Sequence, residues 1–179
     1  MSARSLLRSQ LRSAWRRTMR GPYSGRQINS ERGLQVHFCI SLLTEFTKSA
    51  VGRHLFVEPV VLFPDATKRY PDLVICNARR VIGVIEFKYT PRARPIVGKD
   101  MNTLHRFASS GKSVVLANDR FRGIAEAKQY SVAPDAVLCW AAVYAGNLAE
   151  LPARALSSIG SRFVRLDAIT RDGDEVEIP

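Results

Sequence analysis

The sequence predicts an α/β domain in which short strands alternate with helices, preceded by a basic helical arm. Three observations carry that prediction. Apolar runs at 73–76 and 81–87 flank a short polar turn at 77–80, the pattern of a β-hairpin. Just before them, Leu34, Phe38, Leu42 and Phe46 recur at helical spacing. After them, helical periodicity alternates with apolar runs at 113–117 and 136–144.

The elements follow in order. Arg4, Arg8, Arg12, Arg16 and Arg20 recur every four residues beside a stripe of Leu7, Leu11, Trp15 and Met19. That is an amphipathic basic helix, and Gly21-Pro22 ends it. Residues 1–28 are therefore read as an arm and 29–179 as a single domain. The arm has three readings: it lies on nucleic acid, it packs on the domain or a partner, or it is an Arg-rich, acid-free transit peptide. Asn29 or Ser30 caps a helix running to about residue 49. Residues 54–63 (HLFVEPVVLF) read as a first strand, with Glu58 facing either the site or solvent. The 91–95 segment (PRARP) breaks the second hairpin strand into a basic loop. A helix over 98–109 buries Met101, Leu104 and Phe107 or Ala108. The 113–117 run (SVVLA) is expected to be buried on both faces. A helix at 124–130, a strand at 136–144 and a last hairpin over 163–178 complete the chain.

The chemistry concentrates in the central hairpin. A turn centred near residue 79 pairs residues whose numbers sum to 158, which sets Asp72 opposite Glu86. Directly opposed Cβ atoms lie about 4.5–5.5 Å apart. Strand alternation puts Lys88 on the same face as Glu86. Two carboxylates about 4 Å apart repel by ~1 kcal/mol in water and ~4 kcal/mol at the effective dielectric of a protein surface. A hard divalent ion offsets that repulsion, and Mg²⁺ needs only one or two carboxylates beside water and phosphate oxygens. The pattern points to a metal-dependent phosphodiesterase site.

Spacing and strand context make this signal, since the short motifs recur elsewhere. Pro-Asp also occurs at Pro64-Asp65 and Pro134-Asp135, and Glu-x-Lys at Glu126–Lys128. Asp65 lacks a following apolar strand, and no acid-x-Lys follows Asp135. Glu126 and Lys128 fall in the segment read as a helix, where i and i+2 diverge. A Ser-Gly-Lys-Ser run at 110–113 lacks the first glycine of a phosphate-binding loop, because Arg106 stands there.

Pro71-Asp72, thirteen intervening residues and Glu86-Phe87-Lys88 resemble the PD-(D/E)XK nuclease superfamily, which includes restriction endonucleases and Holliday junction resolvases. The resemblance spans about residues 30–144 and implies a restriction-endonuclease-like αβββαβ core, a mixed central sheet flanked by helices. It implies Mg²⁺ or Mn²⁺ held by Asp72, Glu86 and the backbone carbonyl of Phe87, with Lys88 as the catalytic ammonium. Glu31 fits the helix-borne acid that often joins such sites, and fits equally an acid favoured by the helix dipole. Arg92, Arg94 and Lys99 are the candidate phosphate contacts. The expected function is phosphodiester hydrolysis, in DNA first, and the alternative is a nuclease fold that binds nucleic acid without cutting it.

Charge and composition bound the partners. Residues 1–30 hold seven arginines and no acid, and 53–122 carry 13 basic against 6 acidic residues, whereas 150–179 is slightly acidic. Positive charge gathered around the arm and the site is the footprint of a phosphate-backbone binder. No apolar run approaches the ~20 residues of a membrane span. Cys39, Cys76 and Cys139 are dispersed among apolar residues, without zinc spacing, and read as reduced core residues of a cytoplasmic protein, or a mitochondrial one if the arm is a transit peptide. His37, His54 and His105 do not pair at metal-ligand spacing. Nucleic acid is the expected partner, with a homodimer possible.

Overall fold

The computed structural model describes residues 3–50, 52–109, 113–117, 127–171 and 176–179. The chain order is α1 (Ala3–Thr18), a π-helical turn (Met19–Tyr23), α2 (Glu31–Lys48), β1 (His54–Val57), β2 (Val61–Leu62), β3 (Lys68–Arg69), β4 (Leu73–Cys76) and β5 (Arg80–Thr90). It continues with α3 (Gly98–Ser109), β6 (Ser113–Ala117), β7 (Ala127–Ala145), α4 (Ala153–Ile159), a 3₁₀ turn (Gly160–Arg162), β8 (Phe163–Thr170) and β9 (Val176–Glu177). Among the described residues the strands form one open, mixed nine-stranded sheet. β5 is central, antiparallel to β4 on one side and parallel to β7 on the other.

Strand alternation divides the core between the two faces of this sheet. Leu73, Ile75, Ile85, Phe87, Cys139 and Ala141 face α1 and α2. Val74, Cys76, Val84, Leu138, Trp140 and Tyr144 face α3 and α4. Ser30 caps α2, its hydroxyl accepting from Gly33 N–H at 3.1 Å, and Leu34, Phe38, Leu42 and Phe46 are buried as the periodicity predicts. Met101, Leu104 and Phe107 form the buried stripe of α3.

The basic helix α1 shares the core of the domain. Leu7, Leu11, Ala14, Trp15 and Met19 are at most 1 % exposed and lie in one cluster with α2 and the sheet. Burying five such side chains at about 1.5–3 kcal/mol for each large one anchors the helix. Trp15 Nε1 donates to the Asp167 carbonyl at 3.0 Å. The close approach of α1 to β5 depends on Gly83, where a Cβ would meet Leu7 and Ile75 side-chain carbons at 3.2 Å. Residues 1–28 and the segment after them thus share one hydrophobic core.

Three expectations are corrected. Residues 54–63 are two strands, because Glu58 takes a left-handed φ of 47° and Pro59 brings no N–H to the ladder. Glu58 faces solvent, paired with Arg32 at 3.0 Å. The helix expected at 124–130 is absent over 127–130, where β7 pairs antiparallel with β6; pairing overrides the helical propensity of Ala, Lys and Gln. Residues 124–126 lie outside the described residues. Lys128 is excluded from the site by its strand context instead, stacking 5.1 Å over the Tyr130 ring. β6 is buried on one face only, through Val114 and Leu116. The last hairpin holds, β8 pairing antiparallel with β9 through Ile169 with Glu177 and Thr170 with Val176, and β8 also joins the sheet parallel to β7 over Leu138–Ala145. The expected turn after Arg171, like the 110–112 look-alike, lies outside the described residues. Cys76 and Cys139 are buried and Cys39 half-buried. No helix among the described residues is long and apolar enough to cross a membrane.

Candidate active site

The site arises where β5 outruns β4. Their ladder pairs Leu73 with Ile85, Val74 with Val84 and Ile75 with Gly83, the register the hairpin arithmetic predicts. One step further sets Asp72 against Glu86, but β4 has ended there while β5 continues to Thr90. The β5 amides on that edge therefore need other acceptors. Asp72 Oδ2 accepts from Phe87 N–H at 2.6 Å, and Glu31 Oε2 accepts from Tyr89 N–H at 3.0 Å. Two carboxylates thus continue the ladder that β4 abandons. Glu31 reaches this edge from the first turn of α2.

Glu86 and Lys88 project from the opposite face to Phe87. The Phe87 ring is locked edge-on against Phe38 at 5.2 Å, and Phe38 against Trp15 at 6.2 Å, which fixes this stretch of β5 from behind. Lys88 Nζ lies 3.6 Å from Glu31 Oε2 and 3.8 Å from Asp100 Oδ2. Asp100, in the first turn of α3 and only 4 % exposed, also accepts from Trp140 Nε1 at 3.3 Å. Trp140 is the β7 partner of Glu86. Glu31 and Asp100 therefore flank the Lys88 ammonium, and Asp72 and Glu86 lie within electrostatic reach of Asp100.

The electrostatics reflect that excess of acid. Burial pushes the Asp72 carboxyl up to about 6, against the pull of the Phe87 N–H and with a further push from Glu31 and Asp100. Burial, then the Asp72 and Asp100 charges, raise Glu86 well above the ordinary carboxyl range, and the Glu86 and Asp72 carboxyls share a hydrogen bond. Asp100 is raised by burial, partly offset by Lys88 and the Trp140 N–H. Lys99 is close enough to lower both Glu86 and Asp100. Glu86 Oε1 is buried with no hydrogen-bond partner. A buried polar atom without a partner is a rare and costly feature.

Among the described residues, no three His, Cys, Asp or Glu side chains stand in a ready-made metal cage. The reason is visible in the bonds: Asp72 is turned to the Phe87 amide and Glu31 to the Tyr89 amide. The donor chemistry nevertheless fits a hard cation. It offers carboxylate oxygens, one of them an orphan, and the Phe87 carbonyl, which leaves the strand on the same edge as the Phe87 N–H.

Of the predicted site residues, the structure brings together Asp72, Glu86, Lys88 and Glu31, with Lys99 beside them. Arg94 goes elsewhere: it lies against Gly146 and lines a recess of about 230 Å³ with Pro95, Leu148 and Glu150. Arg92 is exposed on the loop. Asp100 was not legible as a site residue, because an acid in a first helical turn reads as a dipole partner. Its signal was positional: Asp100, Thr103, Leu104 and Phe107 share the buried face of α3.

No family model, curated protein or solved structure matches this chain.

Proposed function

We propose that the protein is a metal-dependent nuclease that hydrolyses phosphodiester bonds, with DNA as the first substrate, on a restriction-endonuclease-like core. One observation carries the reading: the buried Glu86 carboxyl, with an orphaned oxygen, stands beside Asp72 and two residues from Lys88. Without a ligand, that arrangement only destabilises the fold. β1, β4, β5 and β7 are neighbours in the sheet, with α2 before the first three in the chain and α3 between β5 and β7, which supports the αβββαβ order; β2, β3 and β6 are additional to it.

Asp72, Glu86 and the Phe87 carbonyl would hold Mg²⁺ or Mn²⁺. When bound, the ion supplies a water of lowered pKa and polarises a phosphoryl oxygen. The protein's own part is positional. Lys88 orients the attacking water and stabilises charge that develops on the phosphoryl oxygens in the transition state. Glu31 and Asp100 hold the Lys88 ammonium from two sides and keep it aimed. Lys99, at the exposed start of α3, offers a phosphate contact.

A second reading has its own support. Asp72 and Glu31 already satisfy two backbone amides, so part of this cluster serves the strand edge in a nucleic-acid-binding protein that does not cut. Plasmid, linear, single-stranded and branched DNA incubated with Mg²⁺ or Mn²⁺ separates the two. Cleavage by the wild type that disappears in Asp72→Ala and in Lys88→Ala is expected. Cleavage surviving both substitutions removes the site assignment, and salt-sensitive binding without cleavage of any substrate favours the second reading.

A further inference from the structure

We infer that the outer face of α1 is a second nucleic-acid contact, a track for the phosphate backbone. This rests on the nuclease reading only for the identity of the polyanion. The helix is held on three sides of its circumference. Its apolar stripe is in the core, Gln10 donates to Ser49 Oγ at 2.7 Å and to the Glu45 carbonyl at 3.3 Å, and Arg8 donates to the Phe163 carbonyl at 2.9 Å and to the Ser161 carbonyl. What remains outward is Ser5, Arg8, Ser9, Arg12, Ser13, Arg16 and Arg20, which line an open trough of about 730 Å³.

Among the described residues no acid neutralises Arg12, Arg16 or Arg20. Arg17, on the flank, pairs with Glu45 at 3.4 Å, but Arg12, Arg16 and Arg20 make no ion pair among the described residues. Instead Arg4 and Arg12 repel Arg8 and, after burial, lower its pKa. Keeping like charges together on a rigid helix is unfavourable until a polyanion arrives. From Arg8 to Arg16 the helix rises about 12 Å, and one DNA strand presents a phosphate roughly every 3.4 Å, so this part of the row can face about three phosphates.

One feature selects nucleic acid over a lipid surface. An interfacial membrane helix inserts its apolar face, and here Leu7, Leu11, Trp15 and Met19 are committed to the core.

The test is duplex binding by fluorescence anisotropy in EDTA, between about 50 and 200 mM salt. Arg12→Gln/Arg16→Gln is compared with Arg79→Gln/Arg80→Gln, which removes the same charge from the exposed hairpin turn at the far end of β5. The α1 pair is expected to weaken binding tenfold or more and to reduce the salt slope by about 2. Arg12→Lys/Arg16→Lys should retain most of the slope. Equal effects of the two Gln pairs, or no duplex binding by the wild type, overturn the track. So does loss of binding to phosphatidylserine vesicles in the α1 pair with duplex binding intact. Cleavage by a protein whose binding ignores Arg12 and Arg16 removes the track and leaves the nuclease. Track-dependent binding with no cleavage of any substrate does the reverse.

Discussion

Two buried polar clusters sit on the same face of the sheet and differ in one respect. Around Asp167 every group has its counterpart. Tyr144 Oη donates to Asp167 Oδ1 at 2.6 Å, Arg165 Nε donates to Oδ2 at 2.6 Å, and the Arg165 guanidinium lies 5.6 Å from the Trp140 ring centroid. Around Asp100, Lys88 pairs with Glu31 and Asp100 while Lys99 lies nearby, the Asp72, Glu86 and Asp100 carboxyls are raised, and Glu86 keeps an unpartnered oxygen. The two are linked through Trp140, which donates to Asp100 and underlies Arg165. A balanced network serves the fold. An unbalanced one, this close to it, has the excess charge that the proposed cation would relieve.

Substitutions break or sharpen that contrast. The largest effect is expected for Glu86→Gln, which should reduce Mg²⁺-dependent cleavage by 10²–10³-fold or more, about 3–4 kcal/mol of transition-state stabilisation. Its melting temperature should equal or exceed that of the wild type near pH 8, since a strained buried charge is gone. A large loss of stability in Glu86→Gln would erase the distinction between the clusters.

Asp167→Asn should show the opposite profile. Removing one partner of a buried ion pair leaves Arg165 uncompensated, and a loss on the order of 2–4 kcal/mol in denaturant unfolding is expected. Cleavage measured well below its melting temperature should persist. Activity lost with stability intact would place Asp167 in the catalytic machinery and remove the contrast.

The pH dependence separates the clusters further. Asp72 is raised from its ordinary 3.8 to about 6, so its contribution to stability is present at low pH and lost as pH rises through about 6. Glu86 and Asp100 shift in the same direction. In EDTA, the wild type should therefore gain on the order of 1–3 kcal/mol between about pH 7.5 and pH 5 relative to Asp72→Asn. Mg²⁺ should restore about 1–2 kcal/mol at the upper pH, where the carboxylates are charged, and little at the lower. Thermal melts with and without Mg²⁺ check both, and identical profiles for wild type and Asp72→Asn would contradict the assignment.

The smallest effect probes the frame behind the site. Gly83→Ala sets a Cβ 3.2 Å from Leu7 and Ile75 carbons at the ends of flexible side chains, so a cost of about 1 kcal/mol is expected. Denaturant unfolding measures it. Cleavage should fall only where unfolded protein accumulates.

The sequence by itself determined the local patterns: the hairpin register that opposes Asp72 and Glu86, the Ser30 cap, the buried stripes of α2 and α3, and the gathering of positive charge at the N-terminus. These follow from periodicities of 2 and 3.6 and from cap chemistry, which neighbouring residues decide among themselves. Tertiary structure decided the rest. Residues 127–130 became strand because β6 offered a ladder, against their own propensity. Glu58 turned to solvent because its strand broke at Pro59. Asp100 joined the site because helix packing turned its face inward, and Glu31 because β5 outran β4 and left an amide in need of an acceptor. Long-range pairing and burial depend on which surfaces meet, and no window of sequence contains both partners.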